Sequence, residues 1–200
     1  VNNSVSNPLA VVNDVEMKEH AYDVLLDAGL QYRINENWKL KATFGLNYNL
    51  KQEDAFVPGM SSMTIMPLDN QLAKNTVRSA EGTTLNTYYA LNLSYLKKIA
   101  HIHTIAASLG GQIAMNSIDY NAGSGYNTAN DYYKTLNNVQ SIGRNYFGYI
   151  NKWSWMNYNA SVKYNYNNQF FAGANLAADG SSAVGADAAR IYLYPAVNAA

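Results

Sequence analysis

The stretch Trp38-Lys-Leu-Lys-Ala-Thr-Phe-Gly-Leu-Asn-Tyr-Asn-Leu50 alternates between two kinds of side chain. Its even positions carry Trp, Leu, Ala, Phe, Leu, Tyr and Leu, whereas its odd positions carry Lys, Lys, Thr, Gly, Asn and Asn. A period of two residues is that of a β-strand, because successive side chains of a strand point to opposite faces. The stretch therefore predicts a strand with one apolar face and one polar face.

The same alternation recurs along the chain and predicts six long strands. The other five runs are Tyr22–Ile34, Leu85–Tyr95, Thr104–Asn116, Met156–Tyr166 and Phe170–Ala178. A further apolar run predicts a seventh strand that starts at Arg190. Strands of soluble proteins average about 5–6 residues, whereas a tilted strand needs about 9–11 residues to cross a membrane. The predicted strands have the length of membrane-spanning ones.

The connections between these strands alternate between short and long. Short turns are predicted at Asn35–Asn37, around Lys97–Ala100 and at Asn167–Asn168, and long loops at about Gln52–Thr84 and Asp119–Lys152. Outer-membrane barrels show this asymmetry, and soluble barrels rarely carry two structureless loops of about 30 residues. The pattern predicts an all-β fold, namely a segment of an antiparallel up-and-down transmembrane β-barrel.

Composition and motifs exclude several other classes. The 200 residues contain no Cys, and 14 Lys and Arg balance 14 Asp and Glu, so neither a disulfide scaffold nor a basic nucleic-acid surface is expected. The longest stretch without a formal charge, Ile99–Ile118, holds too many polar groups for a membrane helix. No nucleophile elbow and no phosphate-binding loop occur, so we expect neither an enzyme nor a cofactor.

Two pairs of ionisable residues lack the spacing of a metal or catalytic site. His101 and His103 would share a strand face, but no carboxylate stands at ligand spacing, so no metal site is expected. Asp23 and Asp27 lie about 13 Å apart on a strand, beyond the ~5–9.5 Å of a hydrolytic carboxylate pair. We expect them to be lumen charges opposite the cations of the same hairpin: Arg33, Lys39 or Lys41.

Aromatic residues cluster near the short turns on the apolar face. They are Tyr32, Trp38, Tyr95, Tyr164, Tyr166 and Phe170. Rings with an apolar body and a polar edge form girdles at membrane interfaces. The alternative is cross-strand aromatic packing in a soluble sheet. Together with strand length and loop asymmetry, the pattern favours an interfacial aromatic belt.

The second long loop carries the candidate ligand residues. Tyr126, Tyr132 and Tyr133 lie among asparagines, and Trp153 and Trp155 follow at its end. Aromatic faces and amides suit a polar, uncharged ligand such as a glycan or peptide. The alternative is that these aromatics only fold the loop on itself and against a partner.

Two further expectations concern the first long loop and the extent of the chain. Between Pro58 and Pro67 the first loop is unusually apolar, so we expect it to contact a partner or the barrel interior. Residues 1–200 are expected to form part of one transmembrane barrel domain. Single-chain bacterial barrels have an even number of strands, eight or more, so we expect flanking strands outside this piece.

Four short motifs then carry a family resemblance. Asn7-Pro8-Leu9-Ala10 is expected to enter a long strand, Asp179-Gly180-Ser181-Ser182 ends a later strand, and Gly185 and Tyr194-Pro195-Ala196-Val197 follow. Their order resembles the barrel of SusC/RagA-like TonB-dependent transporters. Ala183 stands where that family has a basic residue, and Tyr194 replaces its usual Phe.

The resemblance implies a 22-stranded barrel in the outer membrane of a Gram-negative bacterium. It implies import of a glycan or peptide, a SusD-like surface lipoprotein as partner, and coupling to TonB through plug and N-terminal regions that this chain does not include. Membrane lipid would surround the barrel. Two alternatives remain open at this point: a passive porin or structural barrel, and a soluble all-β binding domain.

Overall fold

The computed structural model describes residues 7–59, 66–67, 72–185 and 190–200. Strands account for almost all of its regular structure. In chain order the elements are α1 (Pro8–Asp14), β1 (Glu16–Arg33), β2 (Trp38–Val57), β3 (Met66–Pro67), β4 (Leu72–Ala73), β5 (Thr76–Ile99), β6 (His103–Tyr126), two 3-10 turns (Leu136–Asn138 and Ser141–Gly143), β7 (Arg144–Tyr166), β8 (Phe170–Ser181) and β9 (Ile191–Ala199). No helix of these residues is both long and apolar enough to cross a bilayer.

The seven long strands form one antiparallel sheet in the order β1-β2-β5-β6-β7-β8-β9. Each long strand is therefore bonded to the long strand that precedes it in the chain. In the β7–β8 pair, for example, Trp155 lies opposite Ser181 and Tyr166 opposite Phe170. The all-β, up-and-down arrangement predicted from the alternation is confirmed.

Contacts divide the chain into two compact units. One unit comprises Val1–Asp23, Asn49–Thr84 and Ile118–Ile150, and contains the long connections; we call it the loop unit. The other comprises Val24–Tyr48, Leu85–Ser117 and Asn151–Ala200, and contains the short turns; we call it the turn unit. That residues 1–200 belong to a single barrel domain stays a prediction.

The apolar face of the turn unit is exposed. It comprises the even positions of β1, β2, β7 and β8 and the odd positions of β5 and β6. Leu30 is 69% exposed, Leu91 54% and Leu109 60%. The described residues of this unit form only the sheet and its turns, so neither a helix nor a second sheet seals these side chains. A continuous apolar surface of this kind marks an interface with something other than water.

The short turns have backbone geometry that polar residues support. Asn35 Oδ1 accepts the N–H groups of Asn37 at 2.9 Å and Trp38 at 3.0 Å. Asn167 and Asn168 have φ of 48° and 55°. Two-residue hairpins need such positive φ values, which Asn tolerates better than most residues. The predicted turns at these two places are confirmed.

The core of the loop unit is small. Phe56, Val77 and Val139 are buried together, with Leu136 packed against them. A Cβ on Gly125 would lie 2.9 Å from the methyl carbons of Val139, so only glycine allows this close approach. The segment between β6 and β7 is thus anchored onto the strands that flank it.

Both long loops are shorter than the sequence predicts. β2 runs on to Val57 and β5 already starts at Thr76, and β6 and β7 likewise extend to Tyr126 and back to Arg144. The predicted bounds were wrong because the two faces no longer differ at these strand ends, so the alternation stops before the strand does. Both faces of β2 are polar from Lys51 to Asp54, and both faces of β7 carry aromatic rings from Tyr146 to Tyr149. Gln52 Nε2 donates to Glu81 Oε2 at 3.0 Å.

The Asn-Pro-Leu-Ala motif does not enter a strand directly. It begins α1, where Asn7 Oδ1 accepts the N–H of Leu9 at 3.0 Å and Pro8 occupies the first turn. Asn as N-cap followed by Pro is a common helix start, and this signal explains the difference. The strand begins only at Glu16. Most of the apolar first loop, between Pro58 and Pro67, lies outside the described residues.

Candidate ligand-binding face

The polar face of the sheet comprises the odd positions of β1, β2, β7 and β8 and the even positions of β5 and β6. In the turn unit, its amides and hydroxyls bond to one another between neighbouring strands. Tyr88 Oη donates to Gln112 Oε1 at 2.8 Å, and the hydroxyls of Ser108 and Ser161 lie 2.7 Å apart. This face therefore offers neutral donors and acceptors.

Asparagines dominate the centre of the polar face. Asn116 Nδ2 donates to Asn86 Oδ1 at 2.6 Å, and Asn157 Nδ2 donates to Asp179 Oδ1 at 2.5 Å. Asn116 Oδ1 is buried without a hydrogen-bond partner among the described residues. Since a buried acceptor is costly to leave unpaired, a ligand group or a water is the natural partner for this oxygen.

Three aromatic rings form a cluster on the polar face of the loop unit. Tyr120 lies 6.2 Å from Phe147 and 5.6 Å from Tyr149, measured between ring centroids. Arg78 Nη2 donates to Tyr120 Oη at 3.4 Å. Phe147 is 63% exposed and Tyr149 47%. We call Tyr120, Phe147 and Tyr149 the aromatic cluster; it offers ring faces beside a guanidinium.

Charges near this cluster compensate one another. Lys51 Nζ lies 2.6 Å from a carboxylate oxygen of Glu53 and 3.2 Å from one of Glu19. Lys51 is thus shared by two carboxylates, and Arg78, whose charge also acts on Glu53, is the second cation of this group.

The predicted ligand residues do not form one group. Tyr126 is half-buried at the end of β6, and Tyr132 and Tyr133 are exposed in the loop unit. Trp153 and Trp155 occupy odd positions of β7 in the turn unit, on the same face as its asparagines. A role in ligand binding stays a prediction for all five.

The sequence does not single out the aromatic cluster, because the alternation predicts a loop over residues 119–152. Phe147 and Tyr149 stand at odd positions of β7, in phase with Asn157 and Asn159 further along the strand. That phase is the signal that could have revealed them. It becomes informative only once the strand is known to begin at Arg144.

The residues of the predicted aromatic belt lie on the apolar face beside the short turns. The ring contacts are Trp38–Tyr95 at 4.7 Å, His103–Tyr164 at 5.9 Å, His103–Tyr166 at 5.2 Å and Tyr166–Phe170 at 6.2 Å. The remaining member, Tyr32, is exposed on the same face. Their interfacial role stays a prediction.

The two histidines of the predicted pair do not share a strand, because β6 begins only at His103. His103 Nδ1 lies 2.6 Å from Tyr164 Oη, whereas His101 occupies the turn itself with φ of 59°. No cluster of three or more His, Asp or Glu suited to a metal is found in the described ranges.

Asp23 has a different partner from the predicted cations. Its Oδ1 accepts a hydrogen bond from Asn49 Nδ2 at 2.6 Å, across the β1–β2 hairpin. Asp27 Oδ1 lies beside Gly45, 3.0 Å from where a Cβ would stand. Both carboxylates therefore lie on the polar face, and for Asp23 a neutral amide takes the place of the expected Arg33, Lys39 or Lys41.

Strand order and the two contrasting faces define a segment of the wall of an up-and-down antiparallel barrel. No family model and no curated protein matches this sequence. Solved structures do match in fold, each over 92% of this chain and 20% of the other chain: the RagAB peptide transporter (TM-score 0.80, 13% identity), the RagAB peptide importer in its open-open state (0.79, 13%) and the same importer in its closed-closed state (0.74, 14%).

These matches concern the fold alone, since the identity is so low. The resemblance to the SusC/RagA-like barrel that the sequence motifs indicate is confirmed at that level. The chain spans about one fifth of the length of each matched chain.

Proposed function

We propose that this chain is part of the wall of an outer-membrane transport barrel that imports a polar nutrient. The observation that carries the proposal is the pairing of an exposed apolar face with an opposite face lined by amides and hydroxyls. In such a wall the apolar face contacts lipid, and the polar face lines a water-filled lumen. In this proposal the protein is a binding and transport protein rather than an enzyme.

The ligand that suits this face is an oligosaccharide or a peptide. Asparagine side chains both donate and accept, as sugar hydroxyls and peptide groups require, and the aromatic cluster offers ring faces for stacking. The RagAB structures that share the fold are described as a peptide transporter and importer, which supports the same class of ligand. By the same analogy, we propose a SusD-like surface lipoprotein as partner and TonB as the source of energy.

Cysteine labelling tests the membrane orientation, because the chain has no Cys of its own. Leu46 and Asn47 are neighbours on β2 and point to opposite faces. In membranes from cells that produce the full-length protein, we expect a water-soluble maleimide to label Asn47→Cys and not Leu46→Cys. A lipid-soluble maleimide should reverse this preference.

The pair Leu91→Cys and Asn92→Cys repeats the test on β5, and labelling in denaturant controls for reactivity. Equal labelling of both faces in intact membranes, or recovery of the protein in the soluble fraction, would contradict the proposal. Uptake that persists after the inner-membrane potential is collapsed would favour a passive barrel over a TonB-coupled importer.

A further inference from the structure

A shallow trough crosses the apolar face of the turn unit. Its volume is about 850 Å³. Small residues, among them Ala28, Ala42 and Gly111, lie along it, and larger ones such as Leu109 and Tyr158 flank it. A Cβ on Gly111 would lie 3.0 Å from the ring of Tyr158, so that ring lies against bare backbone. Small residues between bulky ones leave a channel suited to a hydrocarbon chain.

A second depression adjoins the trough at Tyr89, which lines both. Its volume is about 520 Å³, and its lining holds more polar residues than that of the trough. Lys152 is the basic residue of its lining, which also includes four residues with hydroxyl side chains: Thr87, Ser117, Ser154 and Ser182. No carboxylate occurs among the described residues that line it.

Hydrogen bonding prepares one of these hydroxyls as a donor. Ser182 Oγ accepts the N–H of Ser154 at 2.7 Å, and the N–H of Ser182 donates to the carbonyl of Ser154 at 2.9 Å. A hydroxyl that accepts one hydrogen bond still has its own hydrogen to donate, so Ser182 Oγ remains a possible donor to a ligand. An ammonium with hydroxyl donors and no carboxylate complements an anion, and a phosphate in particular.

We call the second depression the Lys152 pocket. Its distance from the aromatic belt places it at the far edge of the apolar band. Ten residues of β7 separate Tyr164 in the belt from Ser154 in the pocket, which is about 33 Å along a strand at ~3.3 Å per residue. At a tilt of about 45° this becomes about 23 Å, close to the ~25 Å height of the apolar band of membrane barrels. The belt and the pocket thus mark two opposite edges of one band.

We propose that the trough and the Lys152 pocket together bind a phosphorylated, acylated lipid of the outer leaflet. An acyl chain lies in the trough, and the phosphate is held by Lys152 and the hydroxyls. We call this combined surface the lipid groove. The proposal rests on the membrane location given above, and two observations carry it: the trough is continuous with the exposed apolar face, and the charge of its polar end is complementary to a phosphate.

Native mass spectrometry of the full-length protein in detergent tests the lipid groove. The probes are monophosphoryl lipid A and its fully dephosphorylated counterpart. We expect the wild-type protein to prefer the phosphorylated lipid by about fivefold, the contribution of one basic residue near a membrane surface. Lys152→Gln should abolish this preference. Lys163→Gln is the matched control, because Lys163 lies on the polar face of the same strand.

A second variant tests the trough separately. Ala42→Phe places a ring in the trough, so it should weaken the binding of both lipids without changing the ratio of their affinities. A heat-dependent shift in gel mobility verifies that each variant is folded. Inorganic phosphate should compete with the phosphorylated lipid only weakly, since it lacks the acyl chain; full displacement by phosphate would indicate a site for the free anion and overturn the proposal.

The lipid groove is also contradicted if Lys152→Gln and Lys163→Gln behave alike, or if the trough proves to be covered by a second copy of this chain in a dimer that excludes lipid. The cysteine labelling described above distinguishes failure of the lipid groove from failure of the proposed function. If labelling shows lipid exposure and the lipids still bind without preference, the lipid groove fails and the proposed function stands.

Discussion

Asn75 is the residue that holds the connection after β6 in place. It is 1% exposed, its Oδ1 accepts the N–H of Thr128 at 2.8 Å, and its Nδ2 donates to Asp131 Oδ1 at 2.9 Å. Asn75→Ala would leave the N–H of Thr128 buried without a partner, at a cost of about 1–3 kcal/mol. We therefore expect faster amide hydrogen exchange at Thr128, measured by mass spectrometry on the folded protein.

The matched control is Asn137→Ala, an exposed asparagine in the same connection. The contact of Asn137 with Arg144 uses the backbone carbonyl, which the substitution keeps. Exchange at Thr128 should then stay at the wild-type rate. If both variants accelerate exchange equally, Asn75 is not the anchor.

At the scale of the element, β7 presents different chemistry on its two faces. Phe147 and Tyr149 belong to the aromatic cluster on the polar face, whereas Tyr146 lies beside Gly123 on the opposite face. The double variant Phe147→Ala/Tyr149→Ala should weaken ligand binding by about tenfold, since a stacked ring contributes about 0.5–1.5 kcal/mol. Titration with a panel of labelled oligosaccharides and peptides measures the effect.

Tyr146→Ala removes a ring of similar size from the opposite face of β7, so it should leave the affinity for the ligand unchanged. The pair Trp153→Ala and Trp155→Ala extends the same test to the predicted ligand residues of the turn unit. Unaltered affinity in the Phe147/Tyr149 variant would remove the cluster from the ligand path.

The sequence predicts elements well wherever one face is apolar and the other polar. Trp38 to Leu50 alternates without a break and is strand throughout. Beyond Leu50 the same strand continues, but Gln52 and Asp54 replace apolar residues, so periodicity no longer reports it. The aromatic cluster is not predicted for the same reason. Its residues share a face only if β7 begins at Arg144, and the alternation does not show that boundary.

At the scale of the whole molecule, the exposed apolar face determines how the chain behaves in solution. Long runs of exposed Leu, Ile, Val, Phe and Tyr side chains cannot be hydrated without cost, and unpaired outer strands can recruit further strands. We expect the 200-residue chain to aggregate in detergent-free buffer and to disperse in detergent micelles, as measured by light scattering.

Replacing exposed leucines on the apolar face with serine, for example Leu30→Ser with Leu91→Ser, should reduce aggregation in buffer. The same number of serines at polar-face asparagines, such as Asn47 and Asn92, is the control and should not. A chain that stays monomeric without detergent would contradict the membrane assignment for this surface.

The order of the strands determines how the sheet can assemble. Because every long strand bonds to the long strand next to it in the chain, the sheet can grow by adding one hairpin at a time. No strand needs to wait for a distant partner, so chain-closure entropy stays small at each addition. Assembly can therefore proceed strand by strand along the sequence, from either end of the sheet.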